Sequence, residues 1–451
     1  MKLTSAIKTT FLATAITATL AACSITDSSL DSENPGGDIS NNETYNKTPL
    51  LVFLGETDFF SITATRGMGP FENKEDVKKK NAKICVYAFR NSTHEPLTDP
   101  ADLRKTRYAN GKAHDEYNES CLLDGYDYNS GMVMKLNEND GQLRQPEQDS
   151  EKLYYSNTYQ NVGYNFFAYY TDDCKLTCNR SQSQDKITYE FDVDGTQDIL
   201  FGAAPALTMN ELNTTYKDLT LSAEEKSIIV DANGYSTFAA HRDVHPHINL
   251  SHAMARFVFQ AYPGDETAKD IKITGIKMLA NKRCTLTVAG QTTDVIGAKF
   301  AENNKDWMVL RDKDENGLYL NDGLKTPVTV NFEDDMKGTD IYDRDYKIVG
   351  SSMMLAPDST YKMVIEYSQL LNGERWKDMS AEYTITAPKN DEYNYDKETG
   401  SYIFKPSYEY TVKIAVFGLS EIQVTANIEN WIGSNDPIII NPDNADKENI
   451  N

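Results

Sequence analysis

The chain is poor in cysteine, in basic charge and in helical pattern, and each shortage narrows what it can be. Six cysteines in 451 residues are too few and too scattered to form the disulfide framework of a small secreted domain. After Cys23 come Cys85, Cys121, Cys174, Cys178 and Cys284. Cys174 and Cys178 are a candidate pair, but their Cys-x3-Cys spacing has no second Cys or His pair beside it and does not make a zinc site. Lys and Arg total 45 against 68 Asp and Glu, a formal net charge of -23 spread along the whole chain. Such a field repels nucleic acid and anionic lipid and favours solubility. Past the leader no run approaches the roughly 18 consecutive apolar residues of a membrane span. HExxH, GxSxG and Walker-type GxxxxGK are missing, so no motif points to metalloprotease, serine hydrolase or nucleotide chemistry. Carboxylates are so numerous that any two can be paired on paper, and abundance identifies no acid–base couple. The chain reads as a non-enzyme without a cofactor.

What is present begins at the start. Lys2 and Lys8 precede an apolar run from Thr10 to Leu20, which ends in Leu20, Ala21, Ala22 and Cys23. This is the charged n-region, apolar h-region and small-residue cut of an export leader, with the cysteine of a bacterial lipoprotein at the junction. The expectation is cleavage before Cys23, acylation of Cys23 and attachment to the outer membrane by lipid alone. Residues 24–48 are rich in Ser, Asp, Asn and Gly, the composition of a flexible tether.

From Leu50 onward, short β-type runs separated by turns dominate. The runs are 82–89 (AKICVYAF), 164–170 (YNFFAYY), 187–193 (ITYEFDV), 255–261, 271–279, 361–367, 381–385 and 408–416. Several alternate with period two and favour Tyr, Phe, Val and Ile. Short helical candidates are confined to 73–80 and 222–227. Many strands and few helices predict an all-β protein of two tandem β-sandwich domains. The division runs 1–22 signal peptide, 23–48 tether, 49–243 first domain, 244–433 second domain and 434–451 tail. Polar, Tyr-rich residues 91–161 read as loops inserted in the first domain, with room for hairpins of their own.

The segments 164–170, 197–202 (QDILFG) and 248–259 (INLSHAMARFVF), followed by 355–361 (LAPDSTY) and 422–431 (IQVTANIENW), resemble successive landmarks of the fimbrillin family, the subunits of type V fimbriae. The resemblance implies transthyretin-like sandwiches and an assembly route. The lipoprotein precursor is cut by an arginine-specific surface protease, its first strand leaves, and the vacated groove accepts a strand from another fimbrial subunit. The matching cut here falls between Arg66 and Gly67, in ATRGMG. Residues 50–65 (LLVFLGETDFFSITAT) are apolar enough to fill a sandwich groove and too short to span a membrane. Alternatively they form a permanent edge strand with Arg66 in a loop. In the tail, Ile438, Ile439 and Ile440 form an apolar triplet in polar surroundings, a candidate donor strand or equally a last edge strand.

Two other constellations carry chemistry. Asp312, Asp314 and Asn316, with Gly317, have the oxygen-bearing alternation of a calcium loop. Gly323 stands where that loop needs a bidentate Glu, and such strings also make good β-turns. His241, His245 and His247 can share a face of an extended segment as metal ligands, or simply line a solvated linker; His252 reads as a packed strand residue. The sequence thus points to a fimbrial subunit, structural or adhesive, at the outer membrane and then in an extracellular fimbrium. Tyr- and Asn-rich residues 91–161 suit a tip subunit with a host glycan or protein receptor. The alternatives are a lipid-retaining anchor and a non-polymerising surface lipoprotein that binds glycan or host protein.

Overall fold

The computed structural model describes residues 48–54, 77, 82–91, 101–105, 108–109, 112–113, 121–123, 130–137, 142–145, 153–155, 162–215, 217, 220–315, 317–335, 346–371, 375–390, 393–397, 399–417 and 422–429. The protein is all-β. Its strands in the first half are β1 (Val52–Leu54), β2 (Ile84–Asn91), β3 (Tyr108–Ala109), β4 (Lys112–Ala113), β5 (Cys121–Leu123), β6 (Met132–Leu136), β7 (Gln142–Arg144), β8 (Gly163–Tyr170), β9 (Thr177–Cys178), β10 (Lys186–Asp192) and β11 (Leu200–Ala204). They continue as β12 (His247–His252), β13 (Ala255–Pro263), β14 (Ile271–Asn281), β15 (Arg283–Gly290), β16 (Gly297–Phe300), β17 (Lys305–Val309) and β18 (Val328–Val330). The last are β19 (Lys347–Leu355), β20 (Thr360–Leu371), β21 (Arg375–Thr386), β22 (Tyr395–Asp396), β23 (Ser401–Tyr402), β24 (Glu409–Val416) and β25 (Ile422–Glu429).

The N-terminal strands close on themselves. β2, β6, β7, β1, β12, β11 and β8 pair in that order, and β8 pairs back onto β2, while β5 continues the β6 side of β2. Closure removes exposed edges. Inside lie Leu50, Val52, Val86, Met134, Phe166 and Ile248 with their neighbours. A second sheet, in the order β16-β15-β10-β9, covers the outer side of β2 and β8. Because β8 is roofed on both faces, all eight of its residues are buried. Phe166 and Ala168 face the ring core, and Phe167 and Tyr169 face β10 and β15. Tyr87 and Tyr189 join the two layers through their hydroxyls at 2.8 Å. Arg180, only 1% exposed, donates to Leu103 O at 2.6 Å and to Lys105 O, and lies over the Tyr87 and Phe89 rings. It thereby straps residues 101–105 onto this layer.

Beyond the ring, the sheets β19-β13-β24-β25 and β17-β14-β20-β21 contribute Phe257, Phe259, Ile276, Met363, Tyr361 and Val412 to one core. β13 and β24 run parallel; β18 adds to β14. Between β11 and β12, helix Ala223–Ala232 starts at a reciprocal cap in which Ser222 and Glu225 satisfy each other's backbone N–H groups. The expected helix at 222–227 is therefore present and one turn longer, because Ile229 and Val230 bury against Leu212 of a neighbouring helix, Met209–Thr215. The candidate helix at 73–80 lies almost wholly outside the described residues.

Three features set the organisation of these strands. The first half is a closed ring with a sheet against its side rather than a plain pair of facing sheets. Residues 91–161 are not only loops, since they supply β5, β6 and β7, with Leu122, Met132, Leu136 and Leu143 buried. The division at 243/244 runs through continuous sheets: β12 pairs with β1 and β11, and β15 with β10. The chain crosses between the two parts three times, from β12 to β13, from β14 to β15 and from β16 to β17. Short strands such as MVMKL carry too little period-two signal to stand out against polar flanks.

Candidate functional site

The segment expected to be removable is described over residues 48–54, where it fills the gap between β7 and β12. Leu50, Val52 and Leu54 alternate along the backbone, so all three point into the ring core and are buried. Val52 and Phe53 register with Leu143 and Gln142 on one side; Phe53 and Leu54 register in parallel with His247 and Ile248 on the other. Main-chain bonds extend both seams: Leu50 N to Leu153 O at 2.9 Å, Tyr155 N to Thr48 O at 3.0 Å, and Phe53 N to Pro246 O at 3.0 Å. Without this segment, β7 and β12 would each present an unpaired edge above an apolar slot.

The three histidines weighed as metal ligands instead touch this segment. His241 Nε2 lies 2.9 Å from Thr48 Oγ1, the His247 ring stacks on Phe53 at 5.1 Å, and the His245 ring is tilted against it at 5.9 Å. His245 also meets Asp243 at 3.2 Å. Among the described residues no three His, Cys, Asp or Glu side chains are arranged to hold a metal ion. His252 does sit in a strand, and its Nδ1 pairs with Asp198 Oδ1 at 2.8 Å in a buried position where the ring meets the second pair of sheets. Its own carbonyl accepts from Ser407 Oγ.

Asp312 and Asp314 belong to a compact turn. Asp312 Oδ2 accepts the N–H of Lys325 at 2.7 Å and of Thr326 at 3.2 Å, and Asp314 Oδ1 accepts that of Leu318 at 2.8 Å. Both carboxylates are thus engaged in holding the turn; Asn316 lies outside the described residues. So do Cys23, Arg66, Gly67, Ile438, Ile439 and Ile440. None of Cys85, Cys121, Cys174, Cys178 and Cys284 is in a disulfide, so Cys174 and Cys178 are not bonded to each other. Burial pushes the Cys85 thiol up to about 11 and the Cys284 thiol to about 12. Burial, with Asp173 and Asp172 beside it, also raises Cys174. Cys85 and Cys284 pack as neutral thiols against the core between the ring and its covering sheet.

One feature has no local trace in the sequence. At the seam between the ring's covering sheet and the second pair of sheets, residues 173–175, 192–194, 197, 282 and 306–308 line a cleft of about 340 Å³. Three of its carboxylates are paired with a cation: Asp306 Oδ2 with Lys282 Nζ at 2.8 Å, Asp192 Oδ1 with Arg283 Nε at 2.7 Å, and Asp194 Oδ2 with Arg311 at 3.1 Å. The hydrogen bond from Lys282 holds the Asp306 carboxyl below its ordinary range, and the same bond raises the lysine. Gln197 accepts the Asp194 N–H at 2.8 Å and donates to Asp173 Oδ1 at 3.2 Å. Contributions spread over more than a hundred residues cannot be assembled from spacing.

The architecture places the chain among β-rich proteins in which a ring of strands is joined to a second two-sheet unit. No protein-family model matches the chain, and no curated protein does. Among solved structures it is similar to a candidate cell adhesion protein of Bacteroides uniformis, with 11% identity and a TM-score of 0.40 over 86% of this chain and 99% of that one. A similar candidate from Bacteroides ovatus has 12% identity and a TM-score of 0.37 over 86% and 99%. The fimbrial anchor protein Mfa2 of Porphyromonas gingivalis has 8% identity and a TM-score of 0.30 over 84% and 98%.

Proposed function

We propose that the chain is a non-enzymatic fimbrial or adhesive subunit of the cell surface, exported as a lipoprotein through Cys23, cut after Arg66 and assembled by strand exchange. The observation that carries this reading is the seating of residues 48–54. A short segment near the N-terminal end supplies one strand of a closed ring, with apolar side chains at alternate positions and hydrogen bonds along both sides. A cut beyond it leaves the strand held without a covalent link, and a donor with the same alternation replaces it by main-chain pairing. Ile438, Ile439 and Ile440 of a neighbouring subunit are the proposed donor, and the second two-sheet unit, read as a transthyretin-like sandwich, is the body that carries it.

The test is to incubate the folded precursor with a trypsin-like protease. A single early cut exposing Gly67, followed by a ladder of oligomers, is expected. Removal of the residues after Gly433 should leave a folded monomer that no longer forms the ladder. Persistent monomer after complete cleavage at Arg66 would overturn strand exchange and favour a surface lipoprotein that never polymerises. Retention of an acylated Cys23 on protein isolated from assembled fimbriae would instead assign the anchor position.

A further inference from the structure

We propose that residues 436–440 of the tail are a copy of residues 48–52 and dock in the ring of a neighbouring subunit in that segment's own register, with Ile438 in the place of Leu50, Ile440 in that of Val52 and Asp436 against His241. This register rests on the strand exchange proposed above and fixes which donor residue meets which residue of the groove. Residues 48–52 (TPLLV) and 436–440 (DPIII) share one pattern, a polar residue, a proline and three branched aliphatics. Of the 15 prolines in the chain, Pro49 and Pro437 alone are followed by three such residues, so composition does not account for the likeness.

The groove asks for this pattern position by position. Leu50 and Val52 point into the ring core at 5% and 1% exposure, and strand alternation sends Leu51 outward, where it is half-buried. Isoleucines at 438 and 440 meet the same demand, and their branched side chains favour the extended backbone. A proline is tolerated at residue 49 because the seam with residues 153–155 passes over its nitrogen: Thr48 O accepts from Tyr155 N at 3.0 Å, and Leu50 N donates to Leu153 O at 2.9 Å. Pro437 keeps that seam whole, with Asp436 O and Ile438 N in the two roles. The bond from Phe53 N to Pro246 O at 3.0 Å then falls to the N–H of Asn441. At residue 48 the groove presents His241 Nε2, 2.9 Å from the Thr48 hydroxyl. A carboxylate in that place turns a neutral hydrogen bond into a charge-assisted one. Sliding the tail by two residues keeps its inward and outward faces but loses the match. One slip drops Asp436 into the buried place of Leu50; the other puts Pro442 in that of Val52 and leaves His241 facing Ile438.

The experiment uses the full chain cut at Arg66 and a peptide of residues 434–443 (SNDPIIINPD), which caps the vacated groove and shortens the oligomer ladder on native electrophoresis. A peptide of residues 47–56 (KTPLLVFLGE) is the control. The tail peptide should block the ladder at a half-effective concentration within about tenfold of the control. Ile438→Ser and Ile440→Ser should each raise that concentration about 30-fold or more, and Ile439→Ser less than about threefold. Asp436→Asn should raise it about fivefold on the wild-type chain and less than about twofold on a His241→Ala chain. His241 is exposed, and an unchanged circular dichroism spectrum verifies the fold of that variant. Equal costs at 438, 439 and 440 would overturn the inward placement, and an equal Asp436→Asn cost with and without His241 would overturn the register. If the control peptide blocks the ladder and the tail peptide does not, the groove opens for a different donor and the copy is refuted. A cut chain that forms no ladder overturns strand exchange itself and the register with it.

Discussion

Replacing Val52 by Asp tests whether residues 48–54 are a separable strand. The three inward side chains, Leu50, Val52 and Leu54, are each buried to within a few per cent and contribute about 1.5–3 kcal/mol apiece. Main-chain bonds to Leu153, Pro246 and from Tyr155 add about 0.5–1.5 kcal/mol each. Ordering the segment costs about 1–2 kcal/mol per residue, so gain and cost nearly cancel and the segment is held by only a few kcal/mol. Val52→Asp removes one burial contribution and places a carboxylate at a position 1% exposed, a penalty of about several kcal/mol. That exceeds the margin of the segment but falls short of what unfolds a domain with the cores seen here. Hydrogen exchange read by mass spectrometry should show amides of β7 and β12 losing protection while those of β13 and β24 keep theirs, with oligomers appearing on gel filtration. Full protection of β12, or equal loss in β13 and β24, would refute the idea that this strand opens on its own.

Two further outcomes are expected. A Cβ on Gly202 would stand 1.8 Å from Asn249 O, so Gly202→Ala should force β11 and β12 apart and lower the urea midpoint by an amount equivalent to about 3 kcal/mol or more; an unchanged midpoint would disprove this close approach. The buried thiols predict an alkaline loss of stability. Cys85 and Cys284 ionise near 9 when unfolded but only at about 11 and about 12 when folded. Their contribution is intact below pH 9 and is lost as pH rises towards those folded values, at up to about 1.4 kcal/mol per pH unit per thiol. Denaturant unfolding at increasing pH should show this slope, and Cys85→Ala with Cys284→Ala should reduce it; an equal slope in that double variant would contradict the assignment.

The parts of the fold that could be read beforehand are those whose environment repeats along the chain. β8 announced itself because burial on both faces demands a continuous run of Tyr, Phe and Ala. β10 was legible for a different reason, since buried Ile187, Tyr189 and Phe191 alternate with half-buried Thr188 and Glu190 between exposed Lys186 and Asp192. The capped start of helix Ala223–Ala232 was visible in Ser222 and Glu225, whereas its last turn depends on Leu212, which periodicity does not reveal. Ring closure, the contacts of three histidines with Thr48 and Phe53, and the cleft at Trp307 all join residues distant in sequence. Each is decided by register and by which faces meet, and neither is a local property.

The three passages of the chain between the ring and the second two-sheet unit have a mechanical consequence. In a protein whose halves are joined by one linker, tension between the ends falls on that linker, which stretches first. Here a pull is shared by three covalent routes, and drawing β15 and β16 away with the second unit requires breaking the β10–β15 ladder. Such an arrangement yields later than one held by a single linker. A single proteolytic nick in any one route would leave the other two carrying the load.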